Sequence, residues 1–171
     1  ARVAGSPAAT PTPTATPPAS GNPDLYLYKP SNWPGCVVAN SRDNCCPPST
    51  EFLSSYLDTW FFFAIANSGP GRLTGPVSFG LLVDGIYQGT ATWSNESGLD
   101  PGYYMALTWQ YDGFIPVGHH NTVIQVDPNG LIAETNEGNN SCAFSGEWTT
   151  IEFGTDLQAR TRGSGSVSQT S

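Results

Sequence analysis

Apolar and polar positions along this chain alternate in short runs, and no long segment keeps a helical period. Residues 59–66 (TWFFFAIA) form an aromatic, apolar run too short for a typical helix, closed by Asn67-Ser68-Gly69-Pro70-Gly71. Trp60, Phe61, Phe62 and Phe63 fit both faces of a central strand. Residues 77–83 run into Asp84-Gly85, a hairpin turn signal, and residues 86–93 continue beyond it. Residues 103–111 set Tyr103, Met105, Leu107 and Trp109 against Tyr104, Ala106, Thr108 and Gln110, with Trp109 a core candidate. Residues 121–126 set Val123 against Thr122 and Ile124, and a last strand over 148–153 sets Trp148 and Thr150 against Thr149 and Ile151. About seven or eight short strands with Gly, Pro and Asn turns predict an all-β, immunoglobulin-like antiparallel β-sandwich with extended non-globular tails.

The stretch 126–140 (VDPNGLIAETNEGNN) carries the most specific pattern. A strand ends at Asp127-Pro128, and Asn129-Gly130 makes a tight turn because Gly accepts positive φ and Asn tolerates it. Leu131-Ile132-Ala133 then leads into the hydrophilic loop 134–140. This resembles the signature of the CARDB family, the cell-adhesion-related domain found in bacteria and archaea. Asp24-Leu25 before Tyr26-Leu27-Tyr28 resembles the family's opening strand, and Ile65 to Gly69 the end of its second strand. Phe79 to Gly85 resembles its third strand and turn, Leu99-Asp100-Pro101-Gly102 a Leu-x-Pro-Gly turn, and Gly118 to Val126 its penultimate strand. The resemblance spans residues 24–151. It implies a surface-protein module without catalysis. It departs at residues 31–56, a connection longer than the family's that contains three of the cysteines.

The ends differ from this body. Residues 1–23 are a Pro/Thr/Ala/Ser tract suited to polyproline II and unable to bury a core. They read as an extended arm or linker, with Thr10, Thr12, Thr14 and Thr16 as O-glycosylation candidates. Residues 155–171 form a polar C-terminal tail, leaving a domain over residues 24–154, about 130 residues and enough for one core. The chain begins at Ala1 rather than Met, the expectation for a chain after signal-peptide removal.

Charge and cysteines narrow the function. The net charge is −8, Lys29 is the one lysine, and nucleic acid is excluded as a partner for want of a basic patch. No 18-residue apolar run offers a membrane span. The charged fraction of 12% is low, and a surface of Ser, Thr, Asn, Gly and aromatics suits an extracellular protein. Cys36, Cys45, Cys46 and Cys142 predict two disulfides in an oxidising compartment. Setting aside the vicinal pair, one short link joins Cys36 to Cys45 or Cys46, and one long link joins the other to Cys142. A zinc site with His119 and His120 as added ligands is the alternative, although the spacing lacks a C-x₂-C knuckle.

No nucleophile stands in a recognisable motif, and no tuned carboxylate pair is evident, so the chain does not read as an enzyme. No cofactor is required. Calcium is the main candidate, with oxygen ligands at Asp127, Asn129, Glu134, Asn136 and Glu137. The competing use is turn closure, since Asp and Asn bond their own backbone. N-glycosylation sequons begin at Asn95, in a turn expected to be accessible, and at Asn139. Trp33, Tyr26, Tyr28, Tyr103, Tyr104 and Tyr111 are candidates for a binding or interface surface. The reading that follows is a secreted, cell-surface structural or adhesion protein that self-associates into a filament or pilus-like appendage. The alternative is an adhesion module for glycans or surface proteins, tethered by the Pro/Thr linker.

Overall fold

A computed structural model describes residues 20–41 and 52–150. Eight strands are present there: β1 (Leu25–Tyr28), β2 (Val37–Asn40), β3 (Thr59–Asn67), β4 (Val77–Val83), β5 (Ile86–Trp93), β6 (Tyr104–Tyr111), β7 (Gly118–Val126) and β8 (Ser141–Trp148). In the first sheet β3 is central. One side of it carries β1 and β2 end to end, and the other carries β6. The second sheet runs β5-β4-β7-β8, and every pairing of named strands is antiparallel. This is the expected β-sandwich.

Alternation along the strands builds the core. Leu25 and Leu27, Phe61, Phe63 and Ile65 from the first sheet meet Val77, Phe79, Leu81, Ile124 and Val126 from the second. Phe63 and Phe79 lie edge to face at 5.0 Å across the sandwich. Trp148 is fully buried, and its indole N–H donates to Thr59 Oγ1 at 3.1 Å, which satisfies the polar edge of a large apolar ring. Phe62, Ala64 and Ala66 on the outer face of β3 are buried too. The Asp84-Gly85 hairpin has φ of 51° and 78° at its two turn residues, the paired positive values of a type I′ turn.

Three expectations need correction. The last strand is Ser141–Trp148 rather than 148–153. Its inward positions include Cys142 and Gly146 and its outward ones are small and polar, so its alternation is faint in sequence. Thr149 continues only as an isolated parallel bridge to Ser54, and residues 151–153 lie outside the described residues. A four-residue strand, β2, sits inside the long cysteine-containing connection, and all four of its residues are buried. Cys36 is joined to Cys142, not to Cys45 or Cys46. β2 and β8 face one another across the sandwich, so the residue just before β2 meets the second residue of β8, with 6.3 Å between their Cα atoms. Cys45 and Cys46 lie outside the described residues.

This link closes a sequence separation of 106 residues. The double variant Cys36→Ala/Cys142→Ala is expected to lose about 2–4 kcal/mol of stability. Urea denaturation of the variant should show the lower midpoint, and an unchanged midpoint contradicts a cross-link between the sheets.

Candidate functional site

The signature stretch joins β7 of the second sheet to β8 and reaches across to the start of β1 in the first. Asp127 initiates the turn in the left-handed region, at φ 45°, and is 5% exposed. Its own N–H donates to Ser78 O at 2.8 Å, and its carboxylate accepts from the N–H groups of Leu131 at 3.1 Å and Ile132 at 2.7 Å. The next link is Glu134. One of its carboxylate oxygens accepts the Leu25 N–H, and the other accepts Asn140 Nδ2–H at 2.8 Å. The Glu134 N–H donates to Glu137 Oε1 at 3.1 Å, and Thr135 N–H donates to Pro23 O at 2.9 Å. Asn139 Nδ2–H donates to Asp24 Oδ1 at 2.9 Å, while the other Asp24 oxygen accepts Ser68 Oγ–H at 2.7 Å.

Asn67, fully buried at the end of β3, anchors the same corner. Its Nδ2 donates to Gly71 O at 2.8 Å and Leu99 O at 3.0 Å. Its Oδ1 accepts from Asp24 N–H at 3.1 Å and Gly69 N–H at 3.0 Å. Both hydrogens of the amide are therefore used, and both oxygen lone pairs. The sequence placed Asn67 in a turn without assigning it this role. Its signal there is an Asn ending an otherwise apolar strand, directly before Ser-Gly-Pro-Gly.

The calcium candidates are near one another but are engaged with protein donors. Asp127, Glu134 and Glu137 accept backbone N–H groups, as does Asn136 through Gly138 N–H at 3.0 Å. Asn129 is exposed at the turn. Among the described residues no group of three or more His, Cys, Asp and Glu side chains is arranged to hold a metal. A cleft of about 260 Å³ beside the loop is lined by Asp127, Pro128, Glu137, Gly138 and Asn140, among others.

Burial pushes the Glu134 carboxyl up to about 7, against the hydrogen bonds from Leu25 and Asn140, which favour its charged form. An acid with a raised folded pKa binds its proton more tightly when folded, so its contribution to stability falls as pH rises from its ordinary value of 4.5 through about 7. At Asp84 the shift is opposite. Hydrogen bonds from His120 and the Asn121 N–H hold that carboxyl below its ordinary range, so its contribution is lost only as pH falls below that range.

The two histidines point apart. His120 Nδ1 lies 2.6 Å from Asp84 Oδ2, Nε2 lies 3.1 Å from Pro116 O, and the ring packs on Trp148. The Asp84 carboxylate and the Pro116 carbonyl together engage both ring nitrogens of His120. His119 points away to Glu147 at 3.7 Å. Cys36 and Cys142 are bonded to each other, which removes both as thiolate ligands.

The aromatic candidates divide. Tyr28 stacks on Tyr104 at 4.9 Å and meets Tyr26 edge-on at 6.2 Å, a cluster on the outer face of the first sheet. Tyr103 is exposed and Trp33 half-buried. Tyr111 is a correction: it is buried, it ends β6 facing inward, and its hydroxyl donates to Gln88 Oε1 at 3.3 Å. Asn95 is another. Its side chain is 2% exposed at φ 48°, so the folded chain does not present it for glycosylation. Asn139 is half-buried and bonded to Asp24, and Thr10, Thr12, Thr14 and Thr16 lie outside the described residues.

The CARDB family model matches residues 53–144, more than half of the chain and through the signature loop. The chain belongs to the CARDB family. Two solved structures agree in fold. One is the CARDB domain of a Pyrococcus furiosus protein in complex with di-metal ions, with 18% identity, TM-score 0.50, and coverage of 75% of this chain and 96% of that one. The other is a domain of a proposed cell surface protein from Methanosarcina acetivorans, with 20% identity, TM-score 0.52, and coverage of 75% and 94%. No curated protein matches the chain. In this CARDB chain the signature residues clasp the corner between the two sheets.

Two outcomes follow from the clasp. Asn67→Ala removes two donors' acceptor and two acceptors' donor at once and is expected to destabilise by about 3 kcal/mol or more, measured by urea denaturation. Glu134→Gln should flatten the fall in stability between pH 5 and 8 that the native chain shows, read from the urea midpoint at each pH. A native chain whose stability rises steadily across that interval contradicts the assignment.

Proposed function

We propose that this chain is a non-enzymatic, secreted structural module of the cell surface, self-associating into an extracellular filament or pilus-like appendage. The observation that carries the reading is the inward closure of the signature loop. Its carboxylates and amides hold the start of β1 to the β7–β8 connection, and Asn67 of β3 holds that start from within its own sheet, which suits a structural sandwich better than an open reaction site. CARDB membership and the surface assignment of the Methanosarcina relative support the location. The Cys36–Cys142 link suits an oxidising compartment. In this reading the Pro/Thr arm of residues 1–23 and the tail of residues 155–171 wrap neighbouring subunits.

The cluster of Tyr26, Tyr28 and Tyr104 favours a second reading, a module that stacks sugar rings or a surface protein on its outer sheet face. Deleting residues 1–19 separates the two and leaves in place the Asn22 and Pro23 carbonyls that bond the sandwich. A polymerising subunit loses assembly, whereas a tethered binding module keeps its affinity on a glycan array. Negative-stain electron microscopy of the full chain is expected to show uniform fibres, and particles of monomer mass alone contradict the filament.

A further inference from the structure

Among the described residues β6 is the outer strand of its sheet and pairs with β3 alone. The Asn67 N–H donates to Tyr103 O, which sets the phase of the antiparallel ladder. Met105, Leu107 and Trp109 therefore turn their backbone groups toward β3, and Tyr104, Ala106, Thr108 and Gln110 turn theirs outward. Among the described residues these outward groups have no partner.

Sheet edges in soluble proteins are guarded by charges, prolines or bulges. The β5 edge has an irregularity where its register against β4 shifts between Leu81 and Leu82, beside Gly89. The β8 edge carries Glu147. β6 has no such guard: YMALTWQY contains no charge and no proline, and its register against β3 is unbroken over eight residues. Tyr104 and Met105 near its start are exposed as well. On a chain of net charge −8, a long neutral edge is where two copies meet without opposing like charges.

We infer that β6 is the docking edge for a second copy of this chain, paired antiparallel with its own counterpart. An axis through Leu107 sets Ala106 opposite Thr108 and Tyr104 opposite Gln110, so every outward donor and acceptor on these residues finds a partner. Asp112 then falls beside Gly102 of the other copy rather than beside an acid. Such a contact is two-fold and closes a pair. The inference rests on the self-association reading and names one of its contacts, with the tails left to join pairs.

The side chains of Ala106 and Thr108 are exposed, so both accept substitution without disturbing the core. The full chain and two double variants are compared by light scattering and electron microscopy, with folding confirmed by circular dichroism. Ala106→Lys/Thr108→Lys sets lysines opposite one another across the axis and is expected to weaken pairing at least tenfold, lowering the assembled mass. Ala106→Lys/Thr108→Glu sets lysine opposite glutamate and should restore the pair. A folded Lys/Lys variant with the same assembly as the native chain overturns the edge, as does failure of the Lys/Glu variant to pair. Fibres that persist in the Lys/Lys variant overturn the edge alone and leave the filament standing, whereas a native chain that is monomeric throughout overturns both.

Discussion

The structure depends on one polar corner. β1 is only four residues long and pairs with a single neighbour, so its ladder alone holds it weakly. Its position is fixed instead by groups at its first residues: Asp24 N–H on the Asn67 amide, Leu25 N–H on the Glu134 carboxylate, and the Asp24 carboxylate between Ser68 and Asn139. The Glu134 and Asn139 bonds join the first sheet to the β7–β8 connection of the second, and the Asn67 and Ser68 bonds fix the start of β1 to the end of β3. All but the exposed Ser68–Asp24 bond are partly shielded from water, so a missing partner there leaves an unsatisfied group that costs more than the bond itself contributes.

With that corner fixed, the rest follows from alternation and a second cross-sheet tie. Once β1 is held in register with Asn67 to Ala64, Leu25 and Leu27 are committed to the core side. The Cys36–Cys142 link joins β2 to β8, both on the flank away from β6. The sandwich is thus stitched on the flank of β1, β2, β7 and β8, and on the flank of β5 and β6 the Tyr111–Gln88 side-chain bond links the sheets. That asymmetry places most of the structural devices on one flank and leaves, among the described residues, a neutral, unpaired edge on the other.

How legible each part was depended on how local its cause is. The run 59–66 and the hairpin at Asp84-Gly85 were readable because aromatic density and a Gly after Asp act over a few residues. The signature loop was recognisable as a motif, yet its function as a clasp was not, because Leu25 and Glu134 lie 109 residues apart and meet only in the fold. β2 was hidden by its length and by the Pro- and Cys-rich connection around it. Placing Cys36 beside Cys142 required knowing that β2 exists, so the pairing expectation failed with the strand. Tyr111 was misjudged because the alternation along β6 separates faces without saying how far the opposite sheet covers each residue. Asn95 was misjudged because a turn signal was taken for exposure, when the left-handed backbone folds its side chain inward.

The carboxylates of the signature loop turn inward onto backbone amides and make it an internal clasp. Amide hydrogen exchange followed by nuclear magnetic resonance tests it most directly, at Leu25, Leu131 and Ile132, with and without added calcium. Slow exchange is expected at all three, comparable with the central amides of β3 and unchanged by calcium, since their acceptors are the Glu134 and Asp127 carboxylates. Rapid exchange without calcium that becomes slow on its addition would contradict the clasp, and would make those carboxylates metal ligands first.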